Sequence, residues 1–338
     1  MSTAVVISGP GAHRLVPHEP TPPGPGEVLV RVHAVGICGS DLDVLRGVRP
    51  AGYVRYPLTP GHEWSGTVES AGDLVPEALV GRKAVGEGFR NCQVCARCRA
   101  GENTLCEAGY EETGFTRPGA TAATLTLPAR LLHVLPDDTD LTAAALLEPA
   151  ARVAAAVLKA DVLPGERVAV VGDGTAGMLA VQFVAAASPA RLTVVGPCPG
   201  RRERALSFGA TDCGAYDRSP SPAPDFDVVV ETTGRASSVN FSMALLRRGG
   251  RLVLAGTPAP GTAGIDPEVL TARQLEIQSV FGAATAAWSH AVRALGSGLL
   301  SPLPLITHEL PLEAFPQAVA LLEGGGPEVG KVLLKPNP

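Results

Sequence analysis

The hydrophobic pattern divides the chain into two parts. In the first part, apolar residues alternate with polar ones along residues 27–35, and similar stretches follow at 66–72 and 121–128. A period of two between turn-forming residues predicts half-buried β-strands. The first part is therefore expected to be a β domain.

From about Thr142 the pattern changes to helices that alternate with continuous apolar strands. The alanine- and leucine-rich residues 142–158 predict a helix that is broken or redirected at Pro149. Strands that are apolar on both faces are typical of a parallel sheet with helices on both sides. The elements predicted after this helix are, in chain order, strand 167–171, helix 178–187, strand 192–195, helix 201–208, strand 227–230, helix 239–246 and strand 251–255.

The last part of the chain returns to shorter elements. After about Leu300 the sequence predicts a proline-rich turn, a helix near 312–322 and a final strand at 331–335. This tail is too short to form a domain of its own, so it is expected to complete the first one. The predicted domains are therefore 1–149, 150–297 and a return segment, 298–338.

Composition narrows the class of protein. A hydrophobic content of 45% and a net charge of -5 are ordinary for a globular chain and offer no basic stripe for nucleic acid. The first ten residues lack the pattern of a signal peptide, and charged residues interrupt the apolar segment 142–162, so no membrane partner is expected. The expected location is cytoplasmic, where cysteines more often bind metal than form disulfides.

One candidate metal site joins Cys38-Gly39-Ser40-Asp41 to Gly61-His62-Glu63. A thiol, an imidazole and a carboxylate are common zinc ligands, and a set with one open position describes a catalytic zinc. Ser40 is a hydroxyl that can sit beside that open position. The competing interpretation is a buried free cysteine and a hydrogen-bonded core histidine.

A second candidate metal site is the run Cys92, Cys95, Cys98 and Cys106, spaced C-x2-C-x2-C-x7-C. Four thiolates at such spacing can close a tetrahedron around zinc and hold a loop that has little core of its own. An iron–sulfur cluster is the alternative, but the bacterial ferredoxin run has three residues before its last cysteine and a proline after it. Cys198 and Cys213 lack such neighbours and are interpreted as structural.

The segment Gly172-Asp173-Gly174-Thr175-Ala176-Gly177 follows a predicted buried strand and opens a helix. In that context Gly-x-Gly-x-x-Gly predicts a turn whose backbone N–H groups bind the pyrophosphate of a dinucleotide. The next strand ends in Gly196-Pro197 without the acidic residue that binds the ribose of NAD, and Arg201 and Arg202 follow. The sequence therefore favours NADP over NAD, and the side chain of Asp173 is expected to point away from the phosphates.

These features together resemble the zinc-containing medium-chain alcohol and polyol dehydrogenases over nearly the whole chain. The resemblance also covers Glu148-Pro149, the segment 231–234, the segment 248–251 and Gly330-Lys331-Val332. It implies an α/β fold, with a GroES-like β domain plus a Rossmann doubly wound parallel sheet, and an active site in the cleft between them. It further implies one catalytic and one structural zinc, NADP or NAD, a small-molecule alcohol or ketone as substrate, and a homodimer or homotetramer.

The resemblance also assigns roles to residues. Cys38 and His62 resemble zinc ligands, and Glu63 and Glu148 resemble the carboxylates that bind zinc or exchange with water in polyol-type members. Glu63 is also placed among the catalytic residues, with Ser40 and Asp43. Ser40 resembles the hydroxyl that passes on the substrate proton while hydride goes to the nicotinamide. Lys331 is placed with the cofactor-binding residues, together with Gly172, Gly174, Thr175, Ala176, Gly177, Arg201 and Arg202.

Within the family, residues 56–66, 114–120 and 197–202 resemble dehydrogenases of 2-deoxy-scyllo-inosamine, an aminocyclitol of aminoglycoside pathways. A general polyol, alcohol or threonine-type dehydrogenase is the alternative. Asp43 stands where many members carry a relay histidine, so either Asp43 or water accepts the proton. Ala122-Ala123-Thr124 likewise replaces the usual Ala-Glu-Tyr. The other candidates are a zinc-independent reductase, disfavoured by Cys38 and His62, and a dinucleotide-binding regulator without catalysis.

Overall fold

The computed structural model describes residues 2–196, 199–215, 225–257 and 264–337, with the backbone alone at Pro199 and Ala236. The strands are β1 (Thr3–Gly9), β2 (Ala12–Pro17), β3 (Glu27–Ile37), β4 (Glu63–Ala71), β5 (Lys83–Gly86), β6 (Thr124–Pro128), β7 (Leu132–Val134), β8 (Arg167–Val171), β9 (Arg191–Gly196), β10 (Asp212–Ala215), β11 (Phe226–Glu231), β12 (Leu246–Leu254), β13 (Glu276–Ser279), β14 (Ile306–Pro311) and β15 (Lys331–Lys335). The helices are α1 (Gly39–Arg46), α2 (Ala96–Arg99), α3 (Leu141–Ala144), α4 (Leu147–Ala160), α5 (Thr175–Ala186), α6 (Arg202–Ser207), α7 (Ala236–Leu245), α8 (Pro267–Ala272), α9 (Thr285–Gly296) and α10 (Phe315–Gly324).

The chain forms two compact units. The first comprises Met1–Glu148, Ala284–Gly296 and Pro302–Pro338, and the second comprises Pro149–Ala283 and Ser297–Ser301. The predicted limits 1–149, 150–297 and 298–338 differ from these units mainly at α9. This helix belongs to the first unit, where its Trp288 ring stacks on His133 of β7 with ring centroids 5.5 Å apart.

The first unit is built around β3. Among the described residues its main sheet has the order β14-β15-β3-β4-β5-β7, with β6 also paired to β3. β15 runs antiparallel to β3, so a strand from the C-terminal part of the chain completes a sheet formed mainly by its N-terminal part. Side chains from β3, β6 and β15, such as Val30, Leu127 and Val332, are fully buried in one core.

The second unit contains a parallel sheet with the order β10-β9-β8-β11-β12-β13 among the described residues. Val168–Val171 on β8 and Val228–Val230 on β11 are fully buried, as expected for strands that are covered on both faces. The predicted fold class, a GroES-like β domain plus a Rossmann-type parallel sheet, is confirmed. β13 lies at one end of this strand order.

The predicted break at Pro149 is wrong. The helix is interrupted earlier, since α3 ends at Ala144 and α4 begins at Leu147. Pro149 lies in the first turn of α4, where a residue without an N–H costs no intrahelical hydrogen bond. Of the helices that the structure describes, none has both the length and the continuous apolar surface of a membrane span.

Candidate active site

Cys38 and His62 meet because the strands beside them pair. Cys38 follows the end of β3 at Ile37, and His62 precedes the start of β4 at Glu63. The two strands are antiparallel, with Gly36 opposite Glu63. As a result the Cys38 Sγ lies 3.3 Å from the His62 Nε2, so the structure brings together the predicted ligand pair.

The backbone that carries His62 is fixed from the other side. Gly61 has a φ of 97°, and a Cβ there would lie 2.5 Å from the Thr121 Oγ1. Only glycine combines this left-handed conformation with this close approach. The N–H of Ala120 donates to the Gly61 carbonyl, and the N–H of Thr121 donates to the Pro60 carbonyl. These two hydrogen bonds fix the turn before His62 to Ala120 and Thr121, as hydrogen bonds fix one strand to the next.

Asp41 supports both members of the pair, which the sequence reasoning missed. Its Oδ2 accepts a hydrogen bond of 3.0 Å from the backbone N–H of Cys38. Its Oδ1 lies 3.7 Å from the His62 Nδ1, and both atoms are buried with no hydrogen-bond partner among the described residues. A carboxylate behind the distal nitrogen of an imidazole orients the ring and increases its basicity as a metal ligand. The acidic residue three positions after the N-cap cysteine was the available signal.

The donor set fits zinc. In a tetrahedral site with ordinary zinc–sulfur and zinc–nitrogen bonds, the two ligand atoms lie about 3.5 Å apart, close to the 3.3 Å between Cys38 and His62. Zinc binds thiolate and neutral imidazole, and a buried Nδ1 facing a carboxylate leaves Nε2 to the ion. These observations match the chemistry that the sequence assigns to the pair.

Protons compete for this site before zinc binds. Burial alone would lower the pKa of His62, but the Cys38 and Asp41 side chains raise it well above the ordinary value. Burial would raise the pKa of Asp41, but the facing imidazole and the Cys38 N–H lower it overall. Because zinc must displace the proton of His62, zinc affinity should fall as the pH drops below that raised pKa.

Two carboxylates lie beside His62. One ligand atom each from His62, Glu63 and Glu148 falls within 4.8 Å of the others. The ammonium of Lys331 donates to both oxygens of Glu63, at 2.9 and 2.6 Å, and this ion pair is buried. Burial would lower the pKa of Lys331, but Glu63 raises it above the ordinary value. The zinc-ligand roles of Glu63 and Glu148, the catalytic role of Glu63 and the cofactor contact of Lys331 stay predictions.

Ser40 and Asp43 lie on the helix that starts at the metal pair. Both are half-buried in α1, with Ser40 in its first turn. Residues three apart on a helix are neighbours on one face, so the two side chains belong to the same face. This placement is compatible with their predicted order in proton transfer, which stays a prediction.

An ionic cluster lies behind His62 and was not predicted from the sequence. The Phe115 ring packs on the His62 ring with centroids 4.7 Å apart, and the Arg49 guanidinium covers Phe115 at 3.6 Å. Arg49 also donates to Glu112 at 3.2 Å and to the Tyr110 hydroxyl at 2.7 Å. Burial raises the pKa of Glu112. Residues on separate loops thus form one ionic cluster behind the His62 ring.

The four-cysteine loop has the geometry of a zinc site. One sulfur from each of Cys92, Cys95, Cys98 and Cys106 falls within 4.8 Å of the others. The Sγ atoms of Cys92 and Cys98 are 4.0 Å apart, where a tetrahedral zinc–thiolate site places them about 3.8 Å apart. The backbone N–H of Cys92 points at the Cys106 sulfur, and that of Cys95 points at the Cys92 sulfur.

Backbone N–H groups and burial shift the acidity of the thiols in opposite directions. Donation from Val94 and Cys95 lowers the pKa of Cys92 to about 6, whereas burial raises the pKa of Cys98 to about 12. Zinc requires all four ligands as thiolates. Cys92 therefore loses its proton more readily than an ordinary thiol, whereas zinc must displace the proton of Cys98.

The glycine-rich loop has the shape that a dinucleotide requires. Gly172 has a φ of 116°, and a Cβ there would lie 2.3 Å from the Thr232 Oγ1. A Cβ on Gly177 would lie 1.9 Å from the Gly172 carbonyl oxygen, whereas a Cβ on Gly174 would meet nothing within 4 Å. The N–H groups of Thr175, Ala176 and Gly177, in the first turn of α5, have no intrahelical acceptors. The open space at Gly174 and these donors fit a pyrophosphate.

The structure separates the two predicted arginines. Arg201 lies at the loop, with its Nη1 3.4 Å from the Asp173 Oδ1. Arg202 is turned to β10, where its Nη1 donates to the Cys213 carbonyl at 2.8 Å. Cys213 lies half-buried on β10, its structural role stays a prediction, and Cys198 lies outside the described residues. The 2′-phosphate contacts of both arginines stay predictions.

The substitution Asp41→Asn should weaken zinc at the Cys38–His62 pair by about 10- to 100-fold, because the imidazole loses the charge that orients it. Zinc affinity is measured by competition with a chelator. Asp43→Asn is the matched control, since it removes the same charge from the same helix and should leave zinc affinity unchanged. Equal affinity in the two variants would contradict the role of Asp41.

The substitution Cys95→Ser should lower the zinc content from about two ions to about one per chain, because the four-thiolate site loses a ligand. The melting temperature should fall as well, since the loop loses its cross-link. Both are measured on purified protein, by elemental analysis and thermal unfolding. Cys213→Ser is the control and should retain both ions, whereas full zinc content in Cys95→Ser would rule out the structural site.

Comparison with known proteins agrees with this geometry. The family model of the alcohol dehydrogenase GroES-like domain matches residues 24–137, and that of the zinc-binding dehydrogenases matches residues 176–297. The L-threonine 3-dehydrogenase of Coxiella burnetii (strain RSA 493 / Nine Mile phase I) is 30% identical over 328 residues, covering 93% of this chain and 94% of the relative.

Solved structures give the same result. A thermostable alcohol dehydrogenase from Pyrobaculum aerophilum superposes with a TM-score of 0.90 at 31% identity, over 99% of both chains. A protein from Sinorhizobium meliloti 1021, described as a zinc-binding dehydrogenase and bound to NADP, superposes with a TM-score of 0.91 at 27% identity, also over 99% of both chains. With its two metal-ligand clusters and its dinucleotide loop, the chain belongs to the zinc-containing medium-chain alcohol dehydrogenases, and it is a zinc-dependent, NAD(P)-linked oxidoreductase.

Proposed function

We propose that the enzyme oxidises the secondary alcohol of a small amine-bearing substrate to the ketone with NAD(P), and catalyses the reverse reduction. The observation that carries the proposal is the 3.3 Å approach of the Cys38 Sγ to the His62 Nε2, with Asp41 behind the imidazole. Two protein ligands of this kind, with carboxylates near them, leave room for a substrate oxygen on the ion.

Two observations support an amino alcohol as substrate. The curated relatives are named L-threonine 3-dehydrogenase, and threonine carries a secondary alcohol together with an amine. Residues 56–66 and 114–120 resemble dehydrogenases of an aminocyclitol, which presents the same two groups on a ring. A threonine-type amino alcohol is the first candidate because the relatives match over 93% of the chain. The aminocyclitol is the second.

The residues of the chain would divide the work as follows. When bound, zinc supplies a Lewis acid that lowers the pKa of the substrate hydroxyl, and the nicotinamide supplies the hydride acceptor. Cys38 and His62 hold the ion, while Asp41 fixes the imidazole and keeps its Nε2 available. Ser40 accepts the hydroxyl proton as it passes its own proton to Asp43, on the same face of α1, or to water.

The other groups hold the reactants. The loop from Gly172 to Gly177 and the first turn of α5 bind the pyrophosphate. The ammonium of Lys331 neutralises the charge of the buried Glu63 carboxylate. Glu63 can therefore remain beside His62 even when zinc is absent.

The substitution Cys38→Ser should remove the catalytic zinc and reduce turnover to about 1% or less of the starting value, because the Lewis acid is lost. NADH binding, followed by its fluorescence, should persist because the glycine-rich loop is unchanged. Cys213→Ser is the matched control and should keep full turnover. Turnover that survives the loss of zinc from Cys38→Ser would contradict the mechanism and favour a zinc-independent reductase.

The same assay, run with the unsubstituted protein, tests the substrate class. L-threonine, an aminocyclitol, a polyol and a plain alcohol are compared with NAD and with NADP. One of the two amine-bearing substrates should give the highest kcat/KM. A higher kcat/KM with the polyol or the plain alcohol would show that the proposed substrate class is wrong, and no turnover with any alcohol would favour a non-catalytic regulator.

A further inference from the structure

Asp173 occupies an unusual position for a carboxylate in a phosphate-binding loop. It stands between Gly172 and Gly174, and only 7% of its surface is exposed. Its side chain packs against Gly196, the last residue of β9. A Cβ on Gly196 would lie 2.4 Å from the Asp173 Cβ and 2.6 Å from its Oδ2. The Asp173 side chain therefore fills the space that a side chain at position 196 would otherwise occupy.

That space has a defined role in a dinucleotide fold. The acidic residue that accepts the ribose hydroxyls of NAD lies about 20 residues after the glycine-rich loop, at the end of the second strand. In this chain the second strand of the sheet is β9, and it ends in glycine. The sequence thus lacks a carboxylate at the end of the strand, but the fold brings one there from the loop.

The same carboxylate engages Arg201. The Arg201 Nη1 lies 3.4 Å from the Asp173 Oδ1 and 3.4 Å from the Asp173 carbonyl oxygen. The two side chains are only 18% and 9% exposed, so solvent screens their interaction weakly. A guanidinium paired in this way contributes little net positive charge to a bound phosphate. A 2′-phosphate, which carries a charge of about −1.5 to −2 at neutral pH, would also lie close to the Asp173 carboxylate.

We propose that Asp173 is the residue that determines cofactor preference: it accepts the ribose hydroxyls, neutralises Arg201, and makes the enzyme prefer NAD over NADP. This inference rests on the use of a dinucleotide in the proposed function. It reverses the preference that the sequence favours, because that preference depended on the absence of a carboxylate from the end of β9.

The test compares the binding of NADH and NADPH to the full chain by nicotinamide fluorescence, without any substrate or turnover. The unsubstituted protein should bind NADH more tightly than NADPH. Asp173→Asn keeps the shape of the side chain but removes its charge. It should shift the ratio of the two Kd values towards NADPH by about tenfold or more, since a like-charge contact is removed.

Two further variants provide a charge control and an independent test of the Asp173–Arg201 contact. Glu203→Gln removes one exposed negative charge from α6 and should leave both Kd values unchanged. Arg201→Met should weaken NADPH further with little effect on NADH, because the Asp173 charge is then no longer neutralised; this result is independent of how well Asp173→Asn folds.

Tighter binding of NADPH by the unsubstituted protein, or an unchanged Kd ratio in Asp173→Asn, would overturn the proposal. Failure of the unsubstituted protein to bind either nucleotide is a different result. It would contradict the dinucleotide assignment itself, and the inference about Asp173 would fall with it.

Discussion

The antiparallel pairing of β3 with β4 is the constraint on which the candidate active site depends. Because Gly36 lies opposite Glu63, the chain that leaves β3 and the chain that enters β4 are adjacent at one end of the sheet. Cys38 and His62 are the residues at that end, and Asp41 in the first turn of α1 faces the imidazole of His62. A one-residue change of register would turn these side chains to opposite faces. Backbone hydrogen bonds therefore set the positions of Cys38 and His62, and the Asp41 carboxylate orients the imidazole ring.

The environment of this pair combines groups that would be costly to bury alone. Lys331 and Glu63 are both buried and form one ion pair, while Arg49 and Glu112 form another behind Phe115. Removing one partner of such a pair leaves an uncompensated charge in a low-dielectric site. Each ion pair thus depends on both of its members. This arrangement suits a site that must hold several charged groups together.

Sequence reasoning identified the local groupings of residues where a pattern has a short, fixed spacing. The four cysteines, the glycine-rich loop and the period-two and continuous apolar strands need no knowledge of distant residues. It failed where the partner is remote or depends on side-chain direction. The pairing of Glu63 with Lys331 joins the two ends of the chain, α9 carries an apolar face that does not reveal its partner domain, and Asp173 faces Gly196 only after β8 and β9 are aligned. Pro149 was misread because a proline in the first turn and a proline in the interior of a helix look alike in sequence.

The most direct measurement is a crystal structure of the zinc-loaded protein with an anomalous difference map collected at the zinc absorption edge. The account predicts a peak about 2.3 Å from the Cys38 Sγ and about 2.0 Å from the His62 Nε2. A map in which the four-cysteine loop alone carries a peak, while Cys38 and His62 contact each other directly, would contradict it.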